Sequence, residues 1–457
     1  MTELERMRSP RPQIMEGKSN VVLGFAALLA ALASTVLATV VRAEDAEEKA
    51  ASYGGDLLSR PVLTGGWGGA RDFLADHGLT LDFDVTYTFQ AVVDGGLDGP
   101  LFRAFSDEED TGNIVSSDLA LEVDTGKAGF WEGGTFAMQL EGRAGRSVLQ
   151  RSGSVSAVDN DALFPNVVED FDEETLALTE VTFTQYFGEK IGVYGGLVNT
   201  AEGDENELAG SALSNEHFMN TGMLYSLVED ASVPNVSLGG GLLFDPTENL
   251  TGSLAVSNTE EAAGENPFDH AGGTTFSTEW TLGHELAGRG GAQTAGFLYG
   301  IDASRTDIAA DPRLVLISIL TGQPIPATES DTWAAYYNAH QLVQGDEDGG
   351  WGLFLRLGLS DGDPNPVRFN LATGLGGTGP FRMRTDDRWG LGLFYIDVSE
   401  KDLLERLGVD DEVGGEAFYN VAVMPWLHVT LDAQVIDSAV PAADTAWVLG
   451  IRTHWRL

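Results

Sequence analysis

The 457-residue sequence contains no cysteine and few basic side chains. Secreted soluble proteins often carry disulfides and cytosolic enzymes usually keep a few thiols, so their absence is compatible with an exported chain that stays unfolded while it crosses a periplasm. Lysine and arginine total 26 against 70 aspartates and glutamates, which gives a net charge of −44. A field of this sign repels nucleic acid, and no nucleic-acid partner is expected.

Long apolar runs are also missing after residue 43. Basic residues scattered over 6–18 precede an apolar run at 21–41, and Val41-Arg42-Ala43 offers a cleavage site for a signal peptidase. This order predicts a cleaved signal peptide at 1–43. A helix anchored in the inner membrane is the alternative, because 21 apolar residues could span a bilayer. No later segment is apolar for 18 residues, so the mature chain is expected to have no spanning helix.

The motifs of common enzymes are incomplete. Residues 374–379 have the glycine spacing of a dinucleotide fingerprint, yet they run into Pro380 and no helix follows. His284-Glu285 lacks the second histidine of a zinc protease, and no Gly-x-Ser-x-Gly elbow is present. Pairs of neighbouring carboxylates could suggest a glycosidase, but with 70 aspartates and glutamates such pairs are expected by chance. We therefore expect no catalytic residues, no cofactor and no metal site.

An alternation of period two recurs from residue 80 to the end of the chain. In 80–90 the odd positions are Leu, Phe, Val, Tyr and Phe, whereas the even positions are Thr, Asp and Gln. The same pattern holds in 351–359 and 427–435. A strand places such apolar residues on one face, whereas a helix would spread them around its circumference. Many of these runs approach the roughly 9–11 residues that a tilted strand needs to cross a bilayer.

The predicted strands lie near 80–90, 118–124, 134–143, 176–187, 190–198, 236–244, 250–257, 274–283, 294–302, 333–341, 351–360, 389–397, 416–424, 427–436 and 446–457. Bacterial barrels of a single chain have an even number of strands, and 367–373 supplies the sixteenth. The connections at 188–189, 245–249 and 425–426 are short, as periplasmic turns are. Those at 144–175, 199–235, 258–273 and 303–332 are long and acidic, as extracellular loops are. The sequence therefore predicts an all-β fold, a transmembrane antiparallel barrel of sixteen strands.

The polar faces of these strands favour a membrane barrel over a soluble sandwich. They carry Gly, Thr, Ser, Asn, Asp and Arg, which are poor material for packing against a second sheet. A barrel closes because lipid offers no hydrogen-bond partner to an open sheet edge. Tryptophans near the strand ends fit an interfacial girdle, although each by itself could be ordinary strand packing. They are Trp280, Trp333, Trp351, Trp389, Trp426, Trp447 and Trp455.

Three segments resemble the carbohydrate-selective porin (OprB) family. They are Leu63-Thr64-Gly65-Gly66-Trp67-Gly68-Gly69 with the following 70–78, the 244–249 stretch, and 360–366 with its glycines at 374–377. Gly66 stands where the family usually has an acid. The resemblance covers nearly the whole mature sequence and implies a short periplasmic helix within 44–79, followed by a porin barrel at 80–457. It also implies passive or facilitated diffusion of small carbohydrates through a water-filled channel.

The resemblance implies several partners and a location. Small neutral sugars are the expected solutes, and the bacterial outer membrane with its lipid and lipopolysaccharide is the expected site. The barrel insertion machinery is an expected partner, because it reads the last strand of such barrels, which commonly ends in phenylalanine. This chain ends in Leu457 instead, but the alternation of its last strand is kept. A monomer is expected, with a trimer as the alternative. The acidic loops at 106–110 and 202–207 are expected to be solvated, the alternative being a role in gathering divalent cations.

Seven charged residues are candidates for lining the pore, because they lie on the polar faces of the predicted strands. Fixed acceptors and donors can replace part of the water shell of a sugar. The alternative is that these charges pair across the lumen and only brace the wall. The candidates are Glu141, Arg143, Glu180, Glu279, Arg356, Asp432 and Arg452.

Two other functions stay open. The first 43 residues carry a net charge of +2, which leaves −46 on the mature chain. That charge favours a general or cation-preferring diffusion porin as the alternative to sugar selectivity. A secreted acidic β-protein, either an enzyme or a lectin, would instead be soluble without detergent.

Overall fold

The computed structural model describes residues 52–97, 109–162, 175–201, 203–268, 272–309, 327–346, 349–381 and 384–457. The predicted signal peptide at 1–43 lies outside these residues. In the described ranges, every helix is too short or too polar to cross a bilayer.

Sixteen antiparallel strands form a closed barrel in the described part of the chain. Each strand pairs with its neighbours in sequence, and the first strand pairs with the last. The strands are β1 (Leu79–Gly96), β2 (Thr111–Asp124), β3 (Gly134–Arg146), β4 (Thr175–Tyr186), β5 (Ile191–Asn199), β6 (Val236–Thr247), β7 (Leu250–Asn258), β8 (Thr274–Leu286), β9 (Arg289–Thr306), β10 (Ala327–Asp346), β11 (Gly349–Ser360), β12 (Val367–Thr378), β13 (Arg388–Val398), β14 (Glu412–Met424), β15 (Leu427–Asp437) and β16 (Asp444–Arg456).

The predicted sixteen-stranded barrel is confirmed, including the strand inferred at 367–373, which lies within β12. Several strands extend past the alternating region. The largest extension is in β10, which has 20 residues where the pattern predicts 333–341. A hydrogen-bonded ladder can continue beyond the bilayer, because both faces of a strand are wet there and alternation is no longer required.

The two faces of the wall differ as the alternation predicts. In β1, Phe83, Tyr87 and Phe89 point outwards and are exposed, whereas Thr86 and Gln90 point inwards and are buried. A soluble protein would bury the aromatic rings. An exterior of exposed aromatic and aliphatic side chains is typical of a surface that contacts lipid.

In the described ranges, five short α-helices accompany the strands. They are α1 (Ala70–Asp76), α2 (Leu149–Ser152), α3 (Thr221–Leu224), α4 (Leu227–Asp230) and α5 (Asp402–Leu407). The helix α1 confirms the short helix expected ahead of the first strand. Helices α2 to α4 lie in two long connections, which we call L2 (147–174, described to 162) and L3 (200–235, described except for 202).

Arg71 of α1 holds the seam where the barrel closes. Its guanidinium donates to the backbone oxygens of Leu457 and Leu81, each at 2.7 Å, and contacts Asp82 at 3.2 Å. It also lies over the ring of Tyr53, 4.3 Å from the centroid. The side chain is buried, so one cation joins the N-terminal segment, the first strand and the last residue of the chain.

We expect Arg71→Met to destabilise this seam. The loss of hydrogen bonds from a charged donor costs about 2–3 kcal/mol. The folded band on a gel of unheated samples should therefore disappear at a lower temperature than in the wild type. Lys190→Met is the matched control, because Lys190 lies exposed in a short turn. Equal unfolding temperatures for the two variants would contradict a role for Arg71 in closure.

Candidate functional site

L2 and L3 fold into the barrel instead of standing above it. The backbone oxygen of Val158 in L2 accepts hydrogen bonds from Gln90 and Gln434, which point inwards from β1 and β15, at 2.7 and 2.8 Å. In L3, α3 contacts β12 and β13, while α4 contacts β10, β11 and β12. Both segments therefore occupy one side of the interior, next to β9–β16 and β1–β3.

A dry core fixes the loops to this side of the wall. The ring of Phe218 in L3 packs edge-on against Phe418 of β14 and Phe354 of β11, with centroids 4.7 and 5.5 Å apart. Met223 of L3 and Phe394 of β13 belong to the same buried cluster. This apolar core inside the barrel means that the contact between L3 and β11–β14 excludes water.

Arg356 of β11 anchors the start of L3. Its side chain is fully buried and forms an ion pair with Asp204, and it also donates to the backbone oxygens of Asp204 and Gly210, each at 2.7 Å. Asp204 adopts a left-handed backbone conformation with φ at 54°. The acidic stretch at 202–207 was expected to be solvated. That interpretation is wrong for Asp204, whose charge is compensated by a buried arginine.

Arg452 and Arg143 anchor L2 in the same way. Arg452 of β16 is fully buried and contacts Asp159 at 2.7 Å and the side chain of Asn160. Arg143 of β3 lies 3.8 Å from Asp161 and 3.4 Å from Asp118 of β2. Each of these two arginines thus contacts an acid supplied by L2.

Two glutamates of β14 bind the loop backbones. Glu412 accepts hydrogen bonds from the backbone nitrogens of Val155 and Ser156 in L2 at 2.8 and 3.2 Å. Glu416 accepts from the backbone nitrogens of Met219 and Asn220 in L3 at 2.5 and 2.9 Å. These contacts satisfy amide groups that would otherwise be buried without a partner.

All seven predicted pore residues occupy inward-facing positions, but they fall into two groups. Arg143, Glu141, Arg356, Asp432 and Arg452 are buried, and three of them contact L2 or L3 directly. Glu180 and Glu279 are partly exposed on the opposite side, where they accept hydrogen bonds from Thr182 and Tyr336. Contact of any of the seven with a sugar stays a prediction.

Sequence reasoning missed the partners of the buried arginines. Asp159, Asp161 and Asp204 lie in loops without periodicity, and their acidity resembled that of the surrounding solvated segments. A signal was available in the arginines themselves. A membrane barrel with few basic residues places Arg143, Arg356 and Arg452 in mid-strand, where each one requires a carboxylate partner if it is buried.

A second cluster lies where L3 reaches the end of the barrel with short turns. Glu216 of L3 contacts Arg456 of β16, Arg388 of β13 at 3.3 Å and His428 of β15 at 3.7 Å. Burial raises the pKa of Glu216, but the neighbouring cations outweigh burial and hold that pKa below its ordinary value. The carboxylate therefore stays charged and ties L3 to three strands.

His217 lies next to this cluster. Its Nε2 atom is 3.3 Å from Nη1 of Arg388, which donates to it when the ring is neutral. Burial, reinforced by the charge of Arg388, lowers the pKa of His217 to about 4. Glu216 and the backbone of Glu207 oppose that shift only in part. The ring is therefore neutral at pH 7.

Acidification is expected to weaken the position of L3 through His217. The folded-state pKa of about 4 is lower than the ordinary 6.5, so a released loop binds the proton more readily than a packed one. The stabilisation from the neutral ring is therefore lost as the pH falls from about 6.5 to about 4. Conductance fluctuations in a planar bilayer should increase over this window, and less so in His217→Gln. An identical pH response in the two proteins would exclude His217 as the cause.

The other side of the interior, formed by β4–β8, is the open wall. Its inward-facing positions carry small and hydroxyl side chains that are partly exposed, among them Ser253, Ser257 and Ser277. Tyr194 and Thr281 add further hydroxyls. The lumen left by L2 and L3 is thus off-centre, with a packed arginine-containing side and a hydroxyl-lined side.

Comparison with known proteins places this barrel in a family. The model of the family described as "Carbohydrate-selective porin, OprB family" matches residues 109–457. The chain belongs to this family. The match begins at the second strand, so the segment at 63–78 that first suggested the OprB family lies before it and forms the α1 region.

Solved structures agree on the fold. The high-pH structure of Pseudomonas putida OprB is 20% identical, has a TM-score of 0.74, and the match covers 88% of this chain and 100% of that one. The low-pH structure of the same protein is 18% identical with a TM-score of 0.54, covering 88% and 99%. Among curated protein sequences none matches significantly. Membership of the OprB family and a porin barrel indicate a protein of the bacterial outer membrane.

Proposed function

We propose that this protein is an outer-membrane channel through which small neutral sugars diffuse passively. The observation that carries the proposal is the off-centre lumen of an OprB-family barrel, which L2 and L3 narrow from one side. A fully open barrel of sixteen strands would leave a wide aqueous channel. Packing L2 and L3 against one side of the interior reduces this channel to a passage suited to small solutes.

The chemistry of the open wall supports a polyol as the solute. Hydroxyls of Ser253, Ser277 and Thr281 can donate and accept, so they can replace water around a sugar without requiring a charge. Glu180 and Glu279 provide stronger acceptors on the same side. We infer that these two are the predicted residues that contact the solute.

The five buried candidates have a different role in this proposal. Arg143, Arg356 and Arg452 hold L2 and L3 by ion pairs, and Glu141 and Asp432 belong to the same buried networks. They set the width of the passage without touching the solute. The sequence predicts a channel lined by both arginines and acids. In this proposal the arginines instead position the loops, and only the acids line the passage.

Export and assembly complete the proposal. We infer export through a cleaved signal peptide, insertion by the barrel machinery, and contact with lipopolysaccharide on the outside. A monomer suffices for the channel, because the described chain closes its own barrel and supplies its own constriction.

Swelling of liposomes that contain the purified protein tests the function. Glucose and xylose should enter several times faster than neutral amino acids of similar size, because amino acids carry two formal charges that the hydroxyl wall does not compensate. Protein-free liposomes are the control. Equal rates for sugars and amino acids, together with ion conductance that sugar does not reduce, would instead establish a general diffusion porin.

A further inference from the structure

Four arginines that face the interior from the wall form ion pairs with carboxylates of L2 or L3. Arg356 and Arg452 are fully buried against Asp204 and Asp159. Arg388 and Arg456 keep some exposure, but both contact the same carboxylate, Glu216. A positive side chain that is paired in this way presents little net field to a passing solute.

The acids that border the lumen are compensated far less. In L3, Asp204, Asn206 and Leu208 are buried against the wall, whereas the alternating Glu205 and Glu207 are exposed. Because the backbone oxygen of Glu205 accepts a hydrogen bond from the inward-facing Asn338 of β10, this exposed edge of L3 lies inside the barrel. Glu207 is 61% exposed, and its partner at 3.1 Å is His340, which carries charge only when protonated.

The open wall repeats this charge pattern. Glu180 of β4 and Glu279 of β8 accept hydrogen bonds from the neutral hydroxyls of Thr182 and Tyr336. Within the described residues, neither carboxylate contacts a basic side chain. Acids thus face the passage both from the edge of L3 and from the opposite strands, in a lumen with low-dielectric walls that concentrate their field.

We propose that the channel selects sugars by charge, favouring protonated amino sugars over neutral sugars and excluding sugar acids. The proposal rests on the proposed sugar channel and names the solute class that the same passage prefers. Rings of carboxylates are the usual means by which a pore attracts cations and repels anions. Glu180, Glu279, Glu205 and Glu207 determine this specificity.

Uptake of three solutes of nearly equal size tests the proposal. Liposomes that contain the wild-type protein should admit glucosamine about tenfold faster than gluconate at pH 7, with glucose between them. The double variant Glu180→Gln/Glu279→Gln should reduce this ratio at least threefold. Its matched control is Glu189→Gln/Glu248→Gln, which removes two charges from exposed turns outside the lumen and should keep the wild-type ratio.

Gluconate entering as fast as glucosamine would overturn the proposal. A glucosamine-to-gluconate ratio that is the same in Glu180→Gln/Glu279→Gln and in the wild type would overturn it as well. The reversal potential in a potassium chloride gradient separates this proposal from the sugar function itself. If the wild type prefers cations and Glu180→Gln/Glu279→Gln prefers them less, selection by charge is supported even when glucose does not enter. In that case only the sugar function is lost. Equal permeability of potassium and chloride in the wild type would overturn the proposed selection by charge.

Discussion

Replacing Arg356 with methionine is expected to release the start of L3 and to raise the single-channel conductance. The variant leaves Asp204 buried without its cation, and breaking a buried ion pair from one side costs about 3–5 kcal/mol. The backbone oxygens of Asp204 and Gly210 lose a donor as well. The segment can recover much of this energy by moving Asp204 into the lumen water, which detaches L3 from β11.

The double variant Arg356→Met/Asp204→Asn separates loop release from a simple loss of folding. Asparagine removes the unpaired charge and tolerates the left-handed backbone of position 204. The conductance of the double variant should therefore be closer to the wild-type value than the conductance of Arg356→Met is. If the single and double variants both conduct like the wild type, Arg356 does not position L3.

Phe354→Ala is expected to have the second large effect, on stability. The ring is 1% exposed and lies at the centre of the core that joins L3 to the wall. Removing a phenylalanine from a packed core costs about 3–5 kcal/mol through lost burial and the cavity left behind. Thermal unfolding of the detergent-solubilised barrel should shift to a clearly lower temperature.

The neighbouring Leu353→Ala is a matched control for Phe354→Ala. Leu353 points outwards from the same strand and is 51% exposed. Its truncation changes only a contact with lipid or detergent and should cost on the order of 0.5 kcal/mol. Equal effects of the two substitutions would show that the inward face of β11 is wetted instead of packed.

Period-two alternation was sufficient to predict the wall. In 80–90 it assigned Phe83 and Phe89 to the outside and Gln90 to the inside, which the structure confirms. The strand at 367–373 followed from the even count that a closed bacterial barrel requires, although its own pattern was short. Where strands leave the membrane, as at the ends of β10, the pattern fades and the predicted bounds fall short.

The packing of L2 and L3 inside the barrel could not be predicted in the same way. Phe218, Met223 and Leu224 lie in a region read as a long extracellular loop, yet they form part of a dry core. No periodicity marks them, because an irregular segment buries side chains according to the shape of the surface it meets. Likewise, the acid at position 204 and its neighbour at 205 look alike in sequence, but one is buried and the other exposed.

The sequence by itself determined the barrel, its strand number, the direction of each strand face and the family. These follow from local rules, since a strand in lipid must alternate and a sheet in lipid must close. Only the tertiary structure decided which side of the lumen L2 and L3 fill and which charges remain exposed. Pairings such as Arg452 with Asp159 join residues 293 positions apart, and no local pattern specifies a contact at that separation.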